Sequence, residues 1–291
     1  MTMGFGFAMQ CSSSYGGYST CVSPQPHRSF HGHYWNGFTS SRKNQRVVLR
    51  VADERSSNSN SNLSSQKKRK VVEHVCLLKA KGDLSEQEES DMLDHLYTTQ
   101  YQMGGIVAIS LGRISAANPE NYTHALYMRF QGKEYLEKFY HNPFYLKVLD
   151  DHVMTYCHGL INVDFESQVD DDMLSIFRKG EEFNHGVEFV LLISFNEDAL
   201  GTLVEDALAS LASLMLDAPS LIVQFTQGLN FSPSSKEYTH GVVIRFRSVE
   251  AFEIFIRSKE YKDVWRSKFQ TIVQKSLSLH FSVDPVGTEI M

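Results

Sequence analysis

Apolar and polar positions along the chain change period in a fixed order. Val71 to Lys79 is a short run rich in aliphatic and β-branched residues, which reads as a strand. Ser85 then opens a helical stretch in which Glu88 completes an S-x-x-E capping box, and Gly104-Gly105 stop it. Ile106 to Ile114 and Tyr122 to Phe130 are two further strand-like runs, parted by a polar loop holding Asn118 and Pro119. Lys133 to Leu149 reads as helix interrupted at Pro143, and Gly159 to Phe165 reads as a closing strand. The predicted unit is β-α-β-β-α-β.

The order then recurs. Strand-like runs at Val187 to Phe195, Leu221 to Leu229, Glu237 to Phe246 and Ser276 to Val283 alternate with helical stretches at Glu197 to Leu216 and Ser248 to Phe269. The run Glu73-His74-Val75-Cys76-Leu77-Leu78 returns as Glu188-Phe189-Val190-Leu191-Leu192-Ile193, displaced by 115, and Tyr122-Thr123-His124 returns as Tyr238-Thr239-His240, displaced by 116. Gly112, Phe139 and Tyr145 reappear in the same register as Gly228, Phe255 and Tyr261, so the chain holds a duplicated domain. The domains are placed at residues 71–168 and 186–285, with a connection at 169–185 whose Met173 to Asn184 segment is compatible with a short helix.

The fold class expected is α+β, with tandem ferredoxin-like units whose antiparallel sheets pair into an α+β barrel. One such unit carries both helices on a single face of a four-stranded sheet. Leu126, Met128 and Phe130 then point one way and Ala125 and Tyr127 the other, so the face away from the helices needs a cover. The second copy supplies it, giving an intrachain pseudo-dimer, or a homodimer does. A connection of about 20 residues is long enough to span a small domain, which favours the intrachain barrel.

Charge divides the chain unevenly. Residues 1–70 hold ten Lys and Arg against Asp53 and Glu54, while residues 71–291 hold 18 basic and 32 acidic residues. An acidic body offers no basic stripe for nucleic acid. No run reaches the roughly 18 apolar residues of a membrane-spanning helix. Met1 to Ala52 contain no Asp or Glu, and Ser and Thr take eleven positions. With Arg28, Arg42, Lys43, Arg46 and Arg50, that is the composition of a transit peptide, and chloroplast import is favoured over mitochondrial import. Residues 53–70 read as a polar linker whose basic end, Lys67 to Lys70, is only a weak nuclear motif.

Candidate chemistry is sparse. Cys76 and Cys157, the two cysteines outside the transit segment, lack CxxC spacing and read as reduced core thiols, and no His/Cys cluster points to zinc. His124 is in phase with Leu126, Met128 and Phe130 and present in both copies, which favours a role in the fold. His74 faces Phe189 in the repeat and is the asymmetric candidate.

The run Glu73-His74-Val75, Gly112, Tyr122-Thr123-His124, Tyr140-His141-Asn142-Pro143-Phe144-Tyr145 and Val163-Asp164-Phe165 together resemble the stress-responsive dimeric α+β barrel (A/B barrel, Dabb) family of plants, above all its two-domain chloroplast members. One branch of that family is a polyketide cyclase using a Tyr and a His around an H-P-x-H segment. Aligned on Pro143, the tyrosine falls on Phe139, the first histidine on Asn142 and the second on Tyr145, and the second copy has Lys259 at the proline. The resemblance therefore implies a noncatalytic stress-response protein that binds a small apolar ligand or a protein partner through the barrel. The alternative is a cyclase-like enzyme on a ketide or aromatic compound, with His74, His124 and Tyr145 in altered catalytic roles. His74, Tyr127, Tyr140 and Tyr145 are the ligand-binding candidates. No cofactor is required, but family structures place magnesium on main-chain carbonyls where the first helix ends, here those of Tyr97, Gln100 and Met103.

Overall fold

The computed structural model describes residues 68–170, 186–199 and 201–283. The transit segment, most of the linker and the connection with its expected short helix lie outside them. The first copy runs β1 (Lys68–Ala80), α1 (Glu86–Gln102), β2 (Ile106–Arg113), β3 (His124–Phe130), α2 (Lys133–Tyr140), α3 (Pro143–Val148), a π-helical turn Leu149–Met154, and β4 (Cys157–Asp170). The second runs β5 (Gly186–Phe195), α4 (Gly201–Leu216), β6 (Ile222–Leu229), β7 (His240–Phe246), α5 (Val249–Arg257), α6 (Lys259–Val264), a π-helical turn Trp265–Phe269, and β8 (Val273–Val283). The sheets have the orders β2-β3-β1-β4 and β6-β7-β5-β8, and every pairing is antiparallel. The tandem ferredoxin-like α+β fold read from the sequence is the fold observed.

Local chemistry sets the element ends. Ser85 and Glu88 form the expected reciprocal cap on α1. Asn142 accepts from the Phe144 amide at 2.8 Å, and Pro143 takes the first helical position, where its missing N–H costs nothing, so the predicted helix breaks into α2 and α3. Strand β3 starts at His124 rather than Tyr122, because Asn118 brackets the main chain of Tyr122 from both sides and Asn121 takes a φ of 58°. Helix α4 starts at Gly201 rather than Glu197, after a turn closed by Ala199 N–H on the Asn196 carbonyl. Strands β1 and β4 are longer than expected, since Lys68 to Lys70 pair with Gln168 to Asp170. Those three linker residues are exposed and held by main-chain hydrogen bonds, so they carry no apolar pattern.

The central strands of each sheet are buried on both faces. Under the helices, Val72, Cys76, Leu126, Met128 and Phe130 meet Met92, Leu96, Leu136 and Phe139. On the opposite face Val75, Leu77, Tyr127, Val163 and Phe165 meet Val190, Leu192, Val243, Leu279 and Phe281 of the second copy. Burying one such side chain contributes about 1.5–3 kcal/mol, so an uncovered sheet would forfeit many of these terms. The copies therefore cover each other within one chain.

Two seams close the barrel. Phe165 bridges Asn230 and Ile114 bridges Phe281, while Phe231 N–H donates to the Asp164 carbonyl at 2.8 Å and Ser115 N–H to the His280 carbonyl at 2.9 Å. At these seams a Cβ on Gly112 would stand 2.9 Å from the Ser282 carbonyl oxygen, and one on Gly228 would stand 2.5 Å from that of Glu166. The close approach of main chains explains why both copies keep this glycine. Among the described residues no helix is long and apolar enough to cross a membrane.

Candidate functional site

Three polar clusters lie inside or at the rim of the barrel. The first is built on directly opposed residues of β1 and β4. His74 Nδ1 is 2.7 Å from Asp164 Oδ1, and the Tyr140 hydroxyl, from the last turn of α2, donates to Asp164 Oδ2 at 2.8 Å. A carboxylate only accepts, so Nδ1 carries the proton, and in the neutral ring Nε2 is the acceptor. Nε2 has no partner and is enclosed: His74 is fully buried, with Phe130 and Phe139 set edge-on around its ring. Burial, followed by the Asp164 charge, pushes the Tyr140 hydroxyl well above the usual phenol range, so it stays a donor. Tyr145 is buried beside this cluster, its ring 3.8 Å from that of Phe139. In the second copy Phe189 and His280 take the paired strand positions of His74 and Asp164.

The second cluster lies at the end of β3. His124 Nε2 is 2.8 Å from Glu89 Oε1 on α1, and Arg113 clasps the same carboxylate through Nε at 2.9 Å and through its terminal nitrogen. The Arg113 hydrogen bonds hold Glu89 down to about 2, against burial, and desolvation lowers the His124 imidazole. A surface pocket of about 330 Å³ opens beside these three residues.

The third cluster lies between the sheets, among the apolar side chains that meet there. Arg129 spans Glu73 with bonds at 2.6 and 3.1 Å, and the Tyr127 hydroxyl donates to Glu73 at 2.7 Å. In the second copy Arg245 is paired with Glu188, through Oε2, with Nε at 2.8 Å. The copies are joined across the barrel by Ser110 Oγ donating to Glu188 at 2.9 Å and Arg129 Nη1 to Gln224 Oε1 at 3.0 Å. All four charged residues are buried, so each charge is matched by its partner and not by water.

The candidates named from sequence thus separate. His74 and Tyr140 meet through Asp164, with Tyr145 beside them, whereas His124 lies at the far end of the β1–β3 pairing, opposite Leu78. Tyr127 sits on the other face, between the sheets, and shares no pocket with the other ligand-binding candidates. At the end of α1 the Gln100 amide donates to the Tyr97 carbonyl at 3.3 Å, and Met103 is the C-cap. These donors include no carboxylate, which a hard dication prefers, so they do not make a complete magnesium site by themselves. Cys76 and Cys157 are free and buried as expected. Sequence reasoning missed Asp164 as a partner of His74 and missed the Glu–Arg pairs. A usable sign of the pairs was present: Glu73 and Arg129 recur as Glu188 and Arg245 inside otherwise apolar strands. The sequence pattern, which showed no His/Cys cluster for zinc, also gave no sign that α1 and the π-helical turn bring Asp91, His95 and His152 together.

A doubled ferredoxin-like unit closed on itself by facing sheets defines the A/B barrel class. The profile of the stress responsive A/B barrel domain (Dabb) matches residues 72–167 and again 187–283, and the chain belongs to that family. It is 25% identical over 247 residues to a stress-response A/B barrel domain-containing protein of Arabidopsis thaliana, covering 84% of this chain and 90% of that one. Among solved structures, an anthrone oxidase-like protein aligns with a TM-score of 0.54 at 8% identity, over 75% of this chain and 92% of its own. A Fusobacterium nucleatum protein aligns with a TM-score of 0.53 at 6% identity, over 74% and 94%. At such identities the likeness concerns the fold alone.

Proposed function

We propose that this chain is a noncatalytic stress-response protein of the chloroplast that acts by presenting the outside of its barrel to a protein partner. The observation that carries this reading is the packing of Phe139 and Tyr145. Their rings, 3.8 Å apart and both buried, occupy the space between the helices and the sheet where His74 faces inward. The interior between the sheets is occupied by the apolar side chains of the two facing sheets together with the two Glu–Arg pairs, which speaks against an apolar ligand there. The role needs no cofactor.

A second reading has one observation in its favour. His74, oriented by Asp164 and with Nε2 unpartnered, has the arrangement of a general base. It implies a cyclase-like enzyme acting on an apolar ketide. Incubation of the purified chain with a linear poly-β-ketone thioester, followed by mass spectrometry, separates the two. The expected result is no cyclised product above the buffer rate and no apolar molecule retained in native mass spectra. Turnover that disappears in His74→Phe would establish the enzyme instead. The acid-free composition of residues 1–52 supports import. Protein recovered from chloroplasts should begin at about residues 47–60, and retention of Met1 there would refute processing.

A further inference from the structure

One set of ligating side chains is assembled by the tertiary structure alone. Asp91 and His95 stand one turn apart on a single face of α1, and His152 reaches the same place from the π-helical turn Leu149–Met154. One ligand atom from each lies within 4.8 Å of the other two. His152 Nδ1 is 2.8 Å from Asp91 Oδ2, and His95 Nδ1 is 3.3 Å from Asp91 Oδ1 and 2.8 Å from the Asp91 carbonyl oxygen. The two imidazole rings lie nearly parallel with centroids 3.4 Å apart. Asp91, His95 and His152 keep 31, 38 and 28% of their side-chain surface exposed, so water reaches all three.

We propose that Asp91, His95 and His152 form a binding site for one divalent cation of the zinc class. Two imidazole nitrogens and one carboxylate oxygen suit a borderline ion, whereas calcium and magnesium prefer oxygen alone. Three protein ligands leave a position for water. A zinc-class ion holds such donors at about 2.0–2.2 Å, and all three side chains are partly exposed.

The second copy is an internal control. Asp206 stands at the displacement of 115 from Asp91, Ser210 at the same displacement from His95, and Lys268 at 116 from His152. Lys268 Nζ lies 2.8 Å from Asp206 Oδ2, so an ammonium–carboxylate pair ties α4 to its π-helical turn. An ammonium has no lone pair to give a metal. Tying the helix to the turn therefore needs no histidine, yet the first copy places two there, on one carboxylate. Bound metal would lock α1 to the turn that leads into β4.

The test compares the full chain, stripped with a chelator, with the H95S/H152K variant, which copies the arrangement of the second domain. Zinc is titrated in competition with a chromophoric chelator, and Co2+ is followed by its visible absorption. The wild type should bind one equivalent more than the variant and show a cobalt band the variant lacks. Affinity at that equivalent should drop at least about 100-fold, the upper end of what losing outer partners alone costs. The ammonium introduced by H152K keeps the tie to Asp91, so far-UV circular dichroism of the metal-free proteins should coincide. His95→Ser alone, which leaves the His152–Asp91 pair in place, should also lose the extra equivalent. Equal stoichiometry and affinity in wild type and folded variants would overturn the site.

Discussion

Arg129→Ala should lower the free energy of unfolding by about 3–5 kcal/mol, the usual cost of breaking a buried ion pair from one side. Glu73 and Arg129 are both buried between the sheets, and Glu73 receives its other hydrogen bond from Tyr127. Removing the guanidinium leaves a carboxylate without its counter-charge, and also removes the bond from Arg129 to Gln224 of the second copy. The cost therefore comes more from the uncompensated carboxylate than from the missing hydrogen bonds. Equilibrium unfolding in urea measures it, and a loss under about 1 kcal/mol would show that water reaches Glu73. The double replacement Glu73→Leu with Arg129→Met should recover most of the stability, because an apolar pair of similar volume leaves no unpaired charge.

Phe165→Ala should cost a similar amount, about 3–5 kcal/mol, for a different reason. Phe165 belongs to the first copy but is fully buried against the second: a Cβ on Gly241 or Gly228 would stand 2.7 or 2.9 Å from its ring. Truncation opens a cavity at the β4–β6 seam, where strands of different copies meet and the facing glycines have no side chain to move into it. Hydrogen exchange should accordingly rise first in β6 and β7. If the loss were confined to the first copy, with β6 and β7 still protected, Phe165 would not be the residue that couples the two halves.

Much of the fold was legible because its causes are local or repeated. The capping box at Ser85, the break at Pro143 and the period of two in β3 act within a few residues, and the offset of 115–116 exposed the duplication directly. Gly112 and Gly228 stood out as a repeated pair, although the carbonyls that require them belong to strands of the other copy. The ends of β1 and β4 were hidden, since Lys68 to Lys70 are held by main-chain pairing that leaves no mark on side-chain pattern.

The candidate site was legible only in part. His74 stood out by its asymmetry between the copies, but its partner Asp164 is 90 residues away and meets it only because β4 returns beside β1. Tyr127 was named beside it as a ligand-binding candidate, but the alternation of the strand places it on the opposite face.

The sequence by itself determined the duplicated β-α-β-β-α-β unit, the resemblance to the family, and the presence of Phe139, Asn142 and Tyr145 around Pro143. Those follow from periodicity and residue identity. The tertiary structure alone decided that the two sheets close on each other within one chain, that Glu73 and Glu188 are buried with their arginines, and that Asp91, His95 and His152 converge. Such pairings depend on contacts between residues tens of positions apart, which no local pattern encodes.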